Sequence, residues 1–354
     1  MKKVCLILLI VPATFAALLS GQVPADFPEP PQVMDAPTLA LDLPQTPVVL
    51  PSLVLELPVS RGHSLKKFEG KYNLQAIGHR GVNRGLNYIS PAEELELGKE
   101  WVKEVDASAA NRLITDPLIT EYVNRIAQNI VRASDINAPF TVKVIDSDQP
   151  NAFSLPGGFL YINTGLLMMA DDEAELAGVI GHEVAHVAAR HSTRQISRGM
   201  LISSAFSAAK PKSIWGRVFS HLAEAVTEDL LTLKFSRGFE EEADLLGIQY
   251  LYVAGYDLSA YPSMFEKMWQ REGTRHTFLD RLLSTHPVTQ DRIKRCQRLI
   301  NDYFPDKEAY QLNTSEFENV KVRIANLHNN RVSQANEEEE DDERPVLRRR
   351  SNDH

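Results

Sequence analysis

The sequence predicts an α+β fold, mostly helical, with a small antiparallel sheet near its middle. Three observations carry that expectation. Helix starts are marked by capping residues at Ser90 and Asp116. One β-rich stretch, 140–145 and 159–162, brackets the turn Pro156-Gly157-Gly158. After it the chain becomes apolar and helical through "DDEAELAGVIGHEVAHVAARH", residues 171–191.

Composition frames the elements. At 354 residues, 43% hydrophobic and 24% charged, the chain has room for one sizeable domain plus extensions. A net charge of -9 argues against a nucleic-acid partner, which needs a basic face. Met1-Lys2-Lys3 followed by an apolar run to Leu19 and then Ser20-Gly21 reads as a secretory signal peptide over 1–21. The run falls short of the ~20 residues of a spanning helix and contains Pro12. Ala16, Gly21 and Ala25 each suit cleavage, and Cys5 lies inside the run rather than at its end, so no lipid anchor is expected. The protein is therefore expected to be exported, periplasmic or extracellular, and soluble once cleaved. Cys296 then remains as its only cysteine, with no internal disulfide. Residues 22–64, rich in proline from Pro24 to Pro58, read as an extended linker. Residues 325–354, with an acidic run at 337–343 and Arg348 to Arg350, read as a solvated disordered tail. The folded domain is expected over 65–324, with no internal repeat.

Within that domain, "SPAEELELGKEW" offers Ser90 as N-cap, Pro91 at the first helical position and Glu93 to complete a capping box. "DPLITEYVNRIAQNIV" repeats the device with Asp116 and Pro117, and Leu118, Tyr122, Ile126 and Ile130 share one face. The β-rich stretch and its turn follow. The next helix starts on acids suited to its N-terminus and is expected to run at least five turns. The segment "SIWGRVFSHLAEAVTEDLLTL" (213–233) reads as a packed helix hairpin; its apolar residues also suit a cover for a cleft or peripheral contact with a membrane surface.

Chemistry gathers on two helices. His182 and His186 are four residues apart, hence one turn apart on one face, and Glu183 leans toward the same spot. This H-E-x-x-H pattern sets two imidazoles on one metal with a carboxylate near enough to handle water there. Catalytic zinc usually takes three protein ligands. A third histidine six positions after the second, with an intervening glycine, is missing: those positions hold Ser192 and Ala189. His191 falls one residue short and reads as a helix-end cation. The alternative is a glutamate from "SRGFEEEADLLGIQYLYVAGY", where Glu240 and Asp244 share a face and the apolar continuation argues for inward packing. Asp244 then suits the far nitrogen of one zinc histidine.

The chain resembles the zinc metallopeptidases that include the HtpX heat-shock protease, the type I CAAX prenyl endopeptidases and the soluble BepA-type envelope proteases. The resemblance spans about residues 90–300 and rests on "NAFSLPGG", "TGLL", "AELAGVIGHEVAHVAARH", "SRGFEEEAD" and "THPVTQDRI". It implies a compact gluzincin-type domain with one zinc per chain, held by His182, His186 and the first glutamate of E-x-E-A-D, Glu240, with Glu183 as general base in peptide hydrolysis. It also implies that Asn151, Ala152 and Phe153 line the upper rim, where a strand edge pairs with extended substrate. Unfolded or misassembled envelope proteins are the expected substrates. The loop carrying His286 is implied to face the zinc, so His286 either stabilises an oxyanion or ligates zinc and holds the site idle. The spanning helices and repeat domain of some family members are missing from the pattern. The rival reading is a chaperone-like holder that uses the same groove and cuts little.

Overall fold

A computed structural model describes residues 66–109, 112–202, 235–272 and 286–342. The expected signal peptide, the whole of the expected linker and the 213–233 segment lie outside the described residues.

Two single-turn 3₁₀ segments, Gly70–Tyr72 and Leu74–Ala76, lead into the helical part. Helix α1 (Pro91–Ser108) starts as its sequence dictates: Ser90 Oγ accepts from Glu93 N, and the Glu93 carboxylate accepts from Ser90 N. Helix α2 (Pro117–Arg132) is capped by Asp116, whose side chain accepts from Leu118 N. Its buried face is set by Ile119, Tyr122, Val123, Ile126 and Ile130, whereas Leu118, expected inside, is 46% exposed.

Strands β1 (Thr141–Ile145), β2 (Ala152–Leu155) and β3 (Phe159–Asn163) form one sheet in the order β1-β3-β2. The expected antiparallel sheet is mixed: β2 pairs antiparallel with β3 across the Pro156–Gly158 turn, but β1 pairs parallel with β3. Alternation has period two in either pairing, so side-chain pattern alone does not distinguish them. Val144, Ala152, Leu160 and Ile162 face the main core, while Ile145, Leu155 and Tyr161 face α1 through Leu97, Trp101 and Val105.

A short α3 (Thr164–Met169) leads to α4 (Glu173–Ala188), in which every residue but Val187 is buried. It is shorter than the sequence suggests. Arg190 takes φ 56, a left-handed conformation that breaks the helix, and the chain restarts as α5 (His191–Ile202). Helices α6 (Arg237–Ala254), α7 (Ala260–Glu272) and α8 (Gln290–Tyr303) follow, and α4 packs against α2, α6 and α7. Helix α9 (Ser315–Asp342) continues past residue 324, where a disordered tail was expected. The reason is periodic: Phe317, Val320, Ile324 and Leu327 recur every three or four residues and pack on the core. No helix among the described residues is long and apolar enough to cross a membrane.

Candidate metal centre

Two helices meet where the site forms. Glycine faces glycine at their closest approach: a Cβ on Gly247 of α6 would lie 3.1 Å from the Gly181 carbonyl oxygen and 3.2 Å from His182 N on α4. That contact lets His182 and His186 of α4 reach Glu240 of α6, and the loop before α8 adds His286. One ligand atom from each of these four residues lies within 4.8 Å of the others, and all four are buried.

The spacing suits a shared ion. His182 Nε2 and His186 Nε2 are 3.0 Å apart. Each lies 3.4 Å from a Glu240 oxygen. His286 Nδ1 is 2.9 Å from Glu240 Oε1 and 3.3 Å from His182 Nε2. Donors ~2.0–2.1 Å from a tetrahedral zinc are ~3.3 Å from one another, so these separations match. Glu240 Oε2 and Glu183 Oε1 are both buried without a hydrogen bond. Arg292 Nη1 comes within 2.8 Å of Glu240 Oε2 but without hydrogen-bond alignment. Arg292 thus offsets the charge at Glu240 Oε2, and it is Glu183 Oε1 that stays buried without a donor, at a cost of about 1–3 kcal/mol. The residues present fit zinc.

The electrostatics agree. Burial holds His186 well below the ordinary imidazole value, so it is neutral and able to ligate. Burial also pulls His182 down, but hydrogen bonds with Asp244 and Glu240 outweigh it and push it up to about 9; a bound cation replaces that proton. Burial would raise Glu240, yet the His286 charge and hydrogen bonds from the three histidines hold it well below the usual carboxylate range. Asp244 is likewise opposed by burial and held low by the Arg292 charge.

Asp244 stands behind His182: its Oδ1 is 3.3 Å from His182 Nδ1 and accepts from Tyr261 OH at 3.0 Å. Arg292 clamps both oxygens of Asp244 at 2.7 and 2.8 Å. Glu183 Oε2 accepts from Ser154 Oγ at 2.8 Å, which leaves Oε1 facing His286 Nε2 at 3.4 Å. Ser154 belongs to β2, the edge strand that carries Ala152 and Phe153. Ala152 is fully buried, Phe153 stacks on Tyr161 with ring centroids 5.1 Å apart, and the Asn151 carbonyl accepts from Asn163 N. A cleft lined by Phe235, Arg237, Glu240, Thr289 and Arg292 opens beside the cluster.

His191 departs from its sequence reading. It is fully buried rather than a solvated cation, and burial lowers its pKa. Its Nδ1 lies 2.9 Å from His186 Nδ1 and its Nε2 lies 3.3 Å from Glu242 Oε2. Glu241 is solvent-facing and pairs with Arg295 at 2.7 Å. Ser154, Tyr261 and Glu242 were not singled out from sequence. For Glu242 a signal existed in its position two residues beyond Glu240 on a helix too apolar to be free-standing; for Tyr261 there was none.

Comparison with known proteins extends this. The profile of peptidase family M48 matches residues 117–300. The β-barrel assembly-enhancing protease of Yersinia pestis is 29% identical over 292 residues, 79% of this chain and 57% of that protein. The protein of the same name from Escherichia coli (strain K12) is 28% identical over 252 residues, covering 68% and 50%. The mitochondrial metalloendopeptidase OMA1 of Schizosaccharomyces pombe is 32% identical over 229 residues, 64% of this chain and 65% of that protein. The chain thus spans about half the length of these two bacterial relatives. Because the family match runs from the start of α2 into the last turn of α8, taking in the sheet and both helices that build the cluster, the chain belongs to peptidase family M48, a family of zinc metallopeptidases.

Proposed function

We propose that this protein is a zinc-dependent endopeptidase of the cell envelope that hydrolyses peptide bonds in unfolded or misassembled proteins. The observation that carries the proposal is Glu183: a fully buried carboxylate with one oxygen tied to Ser154 and the other without a donor, beside the His182–His186–Glu240 cluster. In this reading His182, His186 and Glu240 hold one zinc and Asp244 backs His182. Zinc, when bound, supplies Lewis acidity, making a water acidic near neutral pH and polarising a scissile carbonyl. Glu183 Oε1 takes the proton from the attacking water and passes it to the leaving amine. Ser154 keeps Oε1 turned toward the cluster. The β2 edge offers backbone groups to an extended substrate, a mode of pairing that tolerates many sequences. His286, 2.9 Å from Glu240 and 3.4 Å from Glu183, would either stabilise the oxyanion or ligate zinc and hold the site idle.

Two relatives named for enhancing β-barrel assembly support misassembled envelope proteins as the substrate class. The mitochondrial relative shows that the same domain serves elsewhere, so the assignment to an exported compartment rests on the N-terminal segment read from sequence. Glu183→Gln tests the reading. The variant should lose cleavage of casein, by ~100-fold or more for a missing general base, while zinc content and melting temperature stay at wild-type values. A variant that cuts at the wild-type rate removes Glu183 as base. If wild type and variant bind casein alike and neither cuts it with zinc present, the protein is a holder rather than a protease.

A further inference from the structure

Beyond the residues of the reaction itself, we infer that Glu242 and His191 form a hydrogen-bonded relay that orients His186 toward the metal, and that Lys71 and Tyr72 anchor its far end. The inference rests on the reading of His186 as a ligand through Nε2.

Direction along the relay follows from that reading. An imidazole that ligates through Nε2 carries its proton on Nδ1. Among the described residues His186 Nδ1 meets one hydrogen-bond partner, His191 Nδ1 at 2.9 Å, which must then accept. His191 therefore carries its own proton on Nε2, and Glu242 Oε2 receives it at 3.3 Å. The opposite polarity would put a proton on His186 Nε2, aimed into the cluster. A carboxylate at the end of the chain accepts and never donates when ionised, so it selects the useful polarity.

The supporting structure is specific. Residues five apart on a continuous α-helix lie ~140° apart around its axis, so His191 would face away from His186. The left-handed Arg190 breaks the helix and turns His191 back beneath it, and Arg190 is held there by Glu94 and by the Ile89 carbonyl at 2.7 Å. The His191 ring stacks on Phe239 with centroids 4.4 Å apart. Glu242 is itself gripped by Lys71 Nζ at 2.6 Å, Tyr72 OH at 3.1 Å and Arg194 Nη1 at 3.1 Å. Tyr72 is fixed in turn, its carbonyl accepting from Gln249 Nε2 at 2.9 Å. Lys71 and Tyr72 precede residues 117–300, so a segment outside the matched domain is wired to the metal centre.

The test uses the full chain stripped of zinc by a chelator, then titrated with zinc against a chromophoric competitor, with cobalt(II) spectra of each variant and melting curves without metal. His191→Leu keeps an apolar ring-sized filler but accepts no proton, and zinc affinity should fall ~10- to 100-fold with an altered cobalt spectrum, as for other orienting partners of zinc histidines. His191→Asn sets an oxygen near the Nδ1 position and should restore most of that loss. Glu242→Gln should weaken zinc in the same direction. His186→Ala is the control for the underlying reading: wild-type affinity in that variant would remove His186 as a ligand and leave nothing to orient. With His186 confirmed, the relay is overturned if His191→Leu binds zinc within about twofold of wild type while melting lower, or if Asn and Leu lose affinity equally. Should the Leu variant fail to fold, Glu242→Gln decides: weaker zinc with a wild-type cobalt-free melt supports the relay, and unchanged zinc overturns it.

Discussion

Three imidazoles and a carboxylate, all buried, bring one ligand atom each within 4.8 Å of the others, a donor set suited to a shared cation. This makes the choice of carboxylate testable residue by residue. Glu240→Gln keeps the size of a side chain in the cluster but removes its charge, so zinc content should drop several-fold or more; Glu241→Gln, on the exposed face beside Arg295, should leave it unchanged. Equal losses would mean the wrong glutamate was chosen. In the same assay His286→Ala should keep zinc and raise casein turnover if His286 holds the site idle, whereas a fall in turnover would make it an oxyanion donor instead. Legibility at this scale followed spacing. His182, Glu183 and His186 were readable because one helix repeats every 3.6 residues. Glu240 was legible from its four-residue spacing to Asp244, and the family motif strengthened that choice over Glu241 and Glu242. His191 was misread because a helix was extrapolated straight through Arg190, whose left-handed backbone has no sequence signature in an arginine. Ser154 stayed hidden because a serine in a strand is common and its partner lies on another element.

Between elements, the crossing of α4 and α6 sets how far apart the two halves of the cluster stand. Gly247 touches backbone, not flexible side chain: the atoms nearest its missing Cβ are the Gly181 carbonyl and His182 N. Backbone in two buried helices has little room to yield, so Gly247→Ala should force the helices apart by a few tenths of an ångström and cost about 1–3 kcal/mol, as overpacking does. The intrinsic helix propensity of alanine opposes this by up to ~1 kcal/mol. A lower melting temperature together with weaker zinc binding is expected. A variant that melts higher and binds zinc as wild type would show that the crossing tolerates a methyl group. The helix starts at Ser90 and Asp116 were legible because caps are local hydrogen bonds. The parallel pairing of β1 and β3 was not, because it depends on β3 lying between β1 and β2, which only the folded chain determines.

At the scale of the whole described fold, the matched region 117–300 is enclosed by segments from both sides of it. Ahead of it, Arg80 is buried in an ion pair with Asp135 at 2.8 Å and donates to Gln249 at 2.6 Å, while Tyr250 OH donates to the same Asp135 oxygen at 2.7 Å. Helix α1 covers one face of the sheet with Leu97, Trp101 and Val105. After it, Phe317, Val320 and Ile324 of α9 are fully buried, and Arg323 pairs with Asp116 at 2.7 Å. Breaking a buried pair by removing one partner costs about 3–5 kcal/mol, and each fully buried large apolar side chain contributes about 1.5–3 kcal/mol. Losing Arg80 and the three α9 residues therefore removes about 8–14 kcal/mol, against a total stability of about 5–15 kcal/mol for a typical domain. A fragment of residues 117–300 should accordingly show no cooperative melt, whereas residues 66–342 should melt in one transition. The single change Arg80→Met, which leaves Asp135 buried without its cation, should lower the melting temperature by on the order of 10 °C in the full chain. A cooperative melt of the 117–300 fragment within a few degrees of the full chain would show that the flanking segments add contacts but not stability, and would leave the Lys71 and Tyr72 anchorage of the metal centre without a structural foundation.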